Sequence, residues 1–248
     1  MVVRDGYVYA AAFSRSLRIC YGNQTLHEPI TNYTNYWCRG VALSNTNSTL
    51  LFTATENTGV TLWDISNKSN PTPLVSKSFE RSVQSVVQVS EDRIIAGCTV
   101  GKIYLLRFTT GNTAGAGSSS TPSITILNST DGGGDVTSIC FKNDTVIVGT
   151  GGSGVKSYKL GDNLLKPHRD MGIKAGCTRV VLHGNILYGC FGSFGMYMWQ
   201  FSEIEAPVPQ PADQEEKDSF IPAYSLYIGI SVLIAGTVVL MWYDRRAE

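Results

Sequence analysis

The segment STLLFTATENTGVTLWD, residues 48–64, decides how this chain folds. A β-rich run leads into a polar turn, and Gly59 then opens a second β-rich run that ends in Trp63 and Asp64. Two such runs joined by a short turn indicate a pair of antiparallel strands.

Four further segments repeat this pattern of run, turn, small residue and run. The residues that close the second run of the five segments lie 43, 43, 52 and 41 residues apart. The long interval contains TTGNTAGAGSSSTPS between Phe108 and Ile124, a Gly/Ser/Thr stretch that we interpret as an inserted loop. The closing residues are Cys20, Trp63, Leu106, Tyr158 and Trp199.

Each unit also has β-rich segments on either side of this pair, such as WCRGVALS before it and TPLVSKSF after it. About four strands per ~42 residues is typical of a β-propeller blade. The sequence therefore predicts an all-β propeller of about five four-stranded blades over residues 1–202. Three ways of closing the ring are open: five complete blades, closure by the N-terminal strand, or completion by a partner.

The stretch Gly59–Asp64, GVTLWD, resembles the closing strand of a WD-repeat blade. The segments that begin at Gly101, Gly154 and Gly195 repeat its glycine followed by alternating residues, but they lack the Asp. No unit has the Gly-His dipeptide that is usual in the WD-repeat family. The resemblance covers about four-fifths of the chain and implies a propeller that binds other proteins.

A C-terminal membrane anchor is predicted over residues 221–243, which contain no charged residue. A Pro-rich, acidic linker (203–220) precedes it and a short polar tail (244–248) follows it. Small residues offer close helix packing at Gly229, Ala235 and Gly236. The expected membrane-interface residues are Tyr224, Tyr227, Trp242, Tyr243, Arg245 and Arg246.

Composition and motifs argue against several function classes. Twenty basic and twenty acidic residues give zero formal charge, which argues against nucleic-acid binding. The histidines His27, His168 and His183 do not have the spacing of metal ligands. A phosphate-binding loop needs a helix after it, but strands are expected after the Gly-rich stretches 131–135 and 149–154, so we interpret these stretches as turns. We expect no catalytic residues, no cofactor and no metal. The six cysteines form no close-spaced pair, and we expect buried thiols, with one or two disulfides if the domain faces an oxidising compartment.

Two features of the sequence predict different cellular locations. Six Asn-x-Ser/Thr sequons favour an exoplasmic domain, whereas residues 1–13 lack the pattern of a secretory signal and favour a tail-anchored topology. A moderately hydrophobic span flanked by arginines fits a mitochondrial membrane slightly better than the endoplasmic reticulum. The sequons begin at Asn23, Asn32, Asn47, Asn67, Asn128 and Asn143.

These features predict a non-catalytic scaffold or accessory subunit of a membrane protein complex, with the other subunits and the lipid bilayer as its partners. One alternative is an exchange factor for a small GTPase, because a WD-repeat propeller with a C-terminal span is similar to the exchange factor of the endoplasmic reticulum. Members of that family have seven blades and a cation-binding loop in the first blade, whereas this chain has five units and its first unit shows no comparable loop. Another alternative is a luminal or surface ligand-binding domain. Candidate partner contacts are Tyr33, Tyr36, Trp37 and Phe194.

Overall fold

The computed structural model describes residues 1–12, 17–22, 31–33, 37–56, 58–111 and 121–205. The candidate span 221–243, its flanking residues and most of the linker lie outside these ranges. Within these ranges no helix is both long enough and apolar enough to cross a bilayer.

The described residues form a five-bladed β-propeller, which confirms the predicted architecture. In each blade consecutive strands pair antiparallel, from the first strand at the centre to the last at the rim. Blade 1 is β1 Val2–Arg4, β2 Tyr7–Ala11, β3 Leu17–Tyr21 and β4 Thr31–Tyr33; blade 2 is β5 Cys38–Leu43, β6 Leu50–Thr55, β7 Gly59–Asp64 and β8 Thr72–Lys77; blade 3 is β9 Val83–Gln88, β10 Arg93–Cys98, β11 Lys102–Thr109 and β12 Ser123–Asp131; blade 4 is β13 Val136–Lys142, β14 Thr145–Thr150, β15 Gly154–Leu160 and β16 Leu165–Asp170; blade 5 is β17 Arg179–His183, β18 Ile186–Cys190 and β19 Met196–Gln200, followed by α1 Phe201–Glu205.

The strand register confirms the alignment of the repeats. Trp63 pairs with Leu51, the second residue of β6, and Tyr158 pairs with Val146, the second residue of β14. The other closing residues, Cys20, Leu106 and Trp199, pair with the second residue of the neighbouring strand in the same way.

The hydrophobic core lies between neighbouring blades. Every residue of β6 is buried, because alternate side chains of a strand point to opposite faces and blade 2 packs against a sheet on each side. Phe52 and Leu62 face blade 3, whereas Leu51 and Trp63 face blade 1. Similar clusters join blade 3 to blade 4 and blade 4 to blade 5.

The packing is different between blades 5 and 1. Among the described residues no core cluster joins these two blades. Val3 in blade 1 and Val181 and Met198 in blade 5 are exposed. We call these three residues, together with the sheet surfaces of blades 1 and 5 that carry them, the seam. Strand β1 pairs with β2 in its own blade, so the described residues do not support closure of the last blade by the N-terminal strand. Three strands of blade 5 are described.

A glycine opens the third strand of blades 2 and 4 and precedes that of blades 3 and 5, and each has a positive φ. At Gly154 φ is +76°, and a Cβ would lie 2.0 Å from the carbonyl oxygen of Ile173 in the connection to blade 5. The glycine therefore allows the loop and the connection to touch. The other three glycines are Gly59, Gly101 and Gly195.

Replacement of Gly154 by alanine should lower the free energy of unfolding by roughly 2–5 kcal/mol, because positive φ and the backbone clash both act against it. Gly172→Ala is the matched control, since Gly172 has φ +75° but no atom within 4 Å of a Cβ. It should cost only ~1–2 kcal/mol. Urea unfolding of the purified chain measures both, and equal losses would contradict the clash.

Side-chain hydroxyls connect the inner strands of blades 3, 4 and 5. The Ile139 N–H donates to Ser85 Oγ at 3.2 Å, and the Val180 N–H donates to Ser138 Oγ at 2.7 Å. Thr137 Oγ1 donates to the Cys177 carbonyl at 2.8 Å. These bonds satisfy backbone groups of inner strands, which have no sheet neighbour toward the centre, and of the connection that leads into β17.

Ser138→Ala should destabilise the chain by ~1–3 kcal/mol, because it leaves the N–H of the buried Val180 without its acceptor. The control is Ser129→Ala on the exposed side of β12, which should change stability by less than ~0.5 kcal/mol. The two midpoints of thermal unfolding would be compared, and a Ser138 variant as stable as the Ser129 variant would contradict this role.

Candidate protein-interaction face

The two faces of the propeller carry different loops. Because the strands alternate in direction, the connections between blades and the loops from second to third strands lie on one face, which we call the link face. The described link-face residues are 12, 37, 56, 58, 78–82, 99–101, 132–135, 151–153, 171–178 and 191–195. The described residues of the opposite turn face are 5–6, 22, 44–49, 65–71, 89–92, 110–111, 121–122, 143–144, 161–164 and 184–185.

Trp37, a predicted partner contact, lies on the link face and is 44% exposed. Its carbonyl accepts the N–H of Glu56 at 3.0 Å, which ties the entry to blade 2 to the next loop. The carboxylate of Glu56 also accepts from Arg39 Nε at 2.6 Å. The exposed indole therefore stands on backbone that hydrogen bonds and an ion pair hold in place.

Phe194, the second predicted contact, also lies on the link face and is 65% exposed. It ends a 3-10 turn at Gly192–Phe194, where its N–H donates to the Phe191 carbonyl at 3.1 Å. Phe191 itself is buried against Trp199. The turn thus rests on the blade core and presents the outer phenyl ring to solvent.

A third exposed apolar residue of the link face, Val100, is not among the contacts predicted from the sequence. It is 63% exposed and has φ 63°, which is unfavourable for a β-branched residue. Its N–H donates to Asp135 Oδ1 at 2.6 Å, and the neighbouring Thr99 N–H donates to the Ser82 carbonyl at 3.0 Å. Connections on both sides of blade 3 therefore hold this loop.

A signal for Val100 exists in the repeat alignment. The residue before the glycine at the start of the third strand is Thr58 in blade 2 and Ser153 in blade 4, but Val100 in blade 3 and Phe194 in blade 5. An apolar residue at a turn position that otherwise takes a hydroxyl residue marks a candidate contact.

The remaining predicted contacts are not described at the level of side chains. Tyr33 ends the outer strand β4, and its side chain lies outside the described residues, as does Tyr36. The expected interface and helix-packing residues of the span also lie outside them.

The groups considered for chemistry do not converge in the described part of the chain. His168 Nε2 lies 3.0 Å from the carbonyl oxygen of Ile204, and His183 is exposed on the inner strand β17. Within the described ranges no three His, Cys, Asp or Glu side chains are placed to hold a metal ion. The stretches 131–135 and 149–154 lead directly into strands β13 and β15, which confirms the prediction that strands follow them.

All six cysteines are free thiols, and Cys20, Cys38, Cys98 and Cys177 are buried. Burial raises the pKa of Cys38, Cys98 and Cys140 to about 12 and that of Cys177 to about 11. Because only the thiolate is nucleophilic, the four thiols with a raised pKa are unreactive near neutral pH.

Comparisons with known proteins support the fold alone. No family model matches the chain, and no curated protein matches it. The crystal structure of the computationally designed Ika8 protein is similar with a TM-score of 0.50 and 15% identity, over 81% of this chain and 70% of that one. That of the computationally designed Ika4 protein has a TM-score of 0.49 and 17% identity, over 66% of this chain and 90% of that one.

Val100→Gly should raise the free energy of unfolding by about 1 kcal/mol, because glycine adopts positive φ without the steric cost that valine carries. The comparison is Ser153→Gly, at the equivalent turn of blade 4, because Ser153 is not among the described residues that have a positive φ. It should not stabilise the chain. Chemical unfolding measures the free energy of unfolding of the two variants and of the wild type. A loss of stability in the Val100 variant would contradict strain at this position.

Proposed function

We propose that the chain is a non-catalytic scaffold or accessory subunit of a membrane protein complex, and that its link face binds a partner protein. The observation that carries this proposal is the exposure of Trp37, Val100 and Phe194 on one face. Large apolar side chains, aromatic ones above all, are enriched among the residues that carry binding energy at protein interfaces.

The hydrogen bonds of the loops that carry these side chains also favour a role in partner binding. Each stands on a loop whose backbone is hydrogen-bonded to a neighbouring loop or to the same blade. A contact residue on rigid backbone loses little conformational freedom when a partner covers it. The positive φ of Val100 adds to this argument, because strained backbone is retained most often at functional positions.

The proposed partner is another protein with an apolar surface, and no cofactor or nucleic acid takes part. Zero formal charge favours neither a polyanion nor a polycation as partner. We further propose that the propeller is WD-repeat-like, on the evidence of GVTLWD at Gly59–Asp64, and that 221–243 anchors it in a membrane. Asp64 accepts the N–H of Ser66 at 2.8 Å and so stabilises the turn that follows it.

The test changes the link face without changing the core. A triple variant Trp37→Ala, Val100→Ser and Phe194→Ser, which creates no new Asn-x-Ser/Thr sequon, would be expressed as the full chain in its native cells. Loss of an aromatic contact at the centre of an interface costs ~2 kcal/mol or more, roughly a 30-fold loss of affinity. We expect the variant to migrate as a smaller species than wild type in native gels of gently solubilised membranes.

The matched control is Ile126→Ser with Leu164→Ser, which removes exposed apolar side chains from the outer strand of blade 3 and from the turn face. This variant should keep the wild-type complex. Thermal unfolding checks that both variants are folded. A wild-type chain that migrates as a monomer, or a triple variant with an unchanged complex, would contradict the proposal.

Two assays separate the alternatives. Acceleration of nucleotide release from a small GTPase would replace the scaffold function with that of an exchange factor. Protease treatment of intact organelles tests on which side of the membrane the propeller lies, since only a cytosolic propeller is digested.

A further inference from the structure

The Asn-x-Ser/Thr sequons are unevenly distributed over the propeller. Three of them lie in turns of the turn face: Asn47 between β5 and β6, Asn67 between β7 and β8, and Asn143 between β13 and β14. Asn32 and Asn128 lie in the outer strands β4 and β12, and Asn23 lies outside the described residues. The described residues of the link face contain none of these asparagines.

The three asparagines of the turn face are exposed, as a glycan-bearing residue must be. Asn47 Oδ1 accepts both the N–H and the hydroxyl of Thr49, at 2.9 and 2.8 Å. Asn67 Oδ1 accepts the N–H of Ser69 at 3.0 Å. These bonds engage the amide oxygen rather than Nδ2, the atom that would carry the sugar.

Asn128 has a different environment. It is half-buried, and its Oδ1 accepts the N–H of Leu165 from blade 4 at 3.3 Å. A glycan at this position would have to leave through the contact between two blades. We therefore separate Asn128 from the three turn-face positions.

We infer that Asn47, Asn67 and Asn143 carry N-linked glycans, which would cover the turn face and leave the link face bare. In the transfer, Asn Nδ2 forms a bond to C1 of an oligosaccharide, and the bond from C1 to the pyrophosphate of a lipid-linked donor breaks. The amide loses one proton, and the lipid pyrophosphate leaves with the bonding electrons. This inference does not depend on the proposed function.

The free cysteines are compatible with the oxidising compartment in which this transfer takes place. Four of the six thiols have a pKa of about 11 or 12 because they are buried, so they are poor partners for disulfide exchange. The inference is an alternative to the mitochondrial location that the sequence slightly favours, since mitochondrial proteins do not meet this transferase. Occupied sequons would therefore also decide the location.

The experiment uses the full chain isolated from the membranes of its native cells. Intact mass is measured before and after an amidase that releases N-linked glycans and converts each occupied Asn to Asp. Peptide mapping in ¹⁸O water then identifies the converted positions. We expect conversion at Asn47, Asn67 and Asn143, and Asn47→Gln, Asn67→Gln and Asn143→Gln should each remove one mass step.

The loop 65–71 also supplies an internal control. Asn70 is exposed near Asn67, but Pro71 follows it and excludes it as an acceptor. Asn70→Gln should leave the mass steps unchanged, whereas Ser69→Ala should remove the step of Asn67 without altering the asparagine. A chain of unmodified mass, or conversion confined to Asn23, Asn32 and Asn128, would overturn the inference.

Discussion

Packing of sheet faces against one another is the interaction on which this structure depends. A four-stranded sheet with apolar residues on both faces is unstable alone in water, so it needs an apolar neighbour on each side. Blade 2 illustrates this, because all of β6 is buried between blades 1 and 3. The close contact between loops and connections follows from this stacking, and it explains why Gly154 has no room for a side chain.

The repeat made most of the fold predictable from the sequence. Residues one repeat apart occupy equivalent positions, so alignment of Trp63 with Tyr158 and Trp199 identified the register that the strands adopt. The location of Trp37 and Phe194 at solvent-exposed loop positions was also predictable. Local sequence does not determine what an end of the repeat array packs against, however, and the exposed state of Val181 at the seam was not foreseen.

The candidate site was predictable in part for a related reason. Aromatic residues in loops are natural candidates because aromatics are enriched among the residues that carry binding energy at interfaces, whereas a valine beside a glycine resembles an ordinary strand residue. Val100 becomes visible only when its positive φ and its exposure are known. The two faces then differ in chemistry, because the link face exposes two aromatic side chains, whereas the turn face carries hydrogen-bonded Asn turns such as those of Asn47 and Asn67 beside the exposed Leu164.

Because no core cluster of described residues crosses the seam, blades 1 and 5 are the terminal units of the ring in terms of stability. Blades 2, 3 and 4 each pack a core on both faces, whereas blades 1 and 5 do so on one face among the described residues. Opening a terminal blade therefore disrupts one interface instead of two, as in a linear repeat array whose outermost units fray first. A partner that bridged blades 1 and 5 would convert such an array into a single cooperative unit, and its binding would be measured as protection of the terminal blades from amide hydrogen exchange.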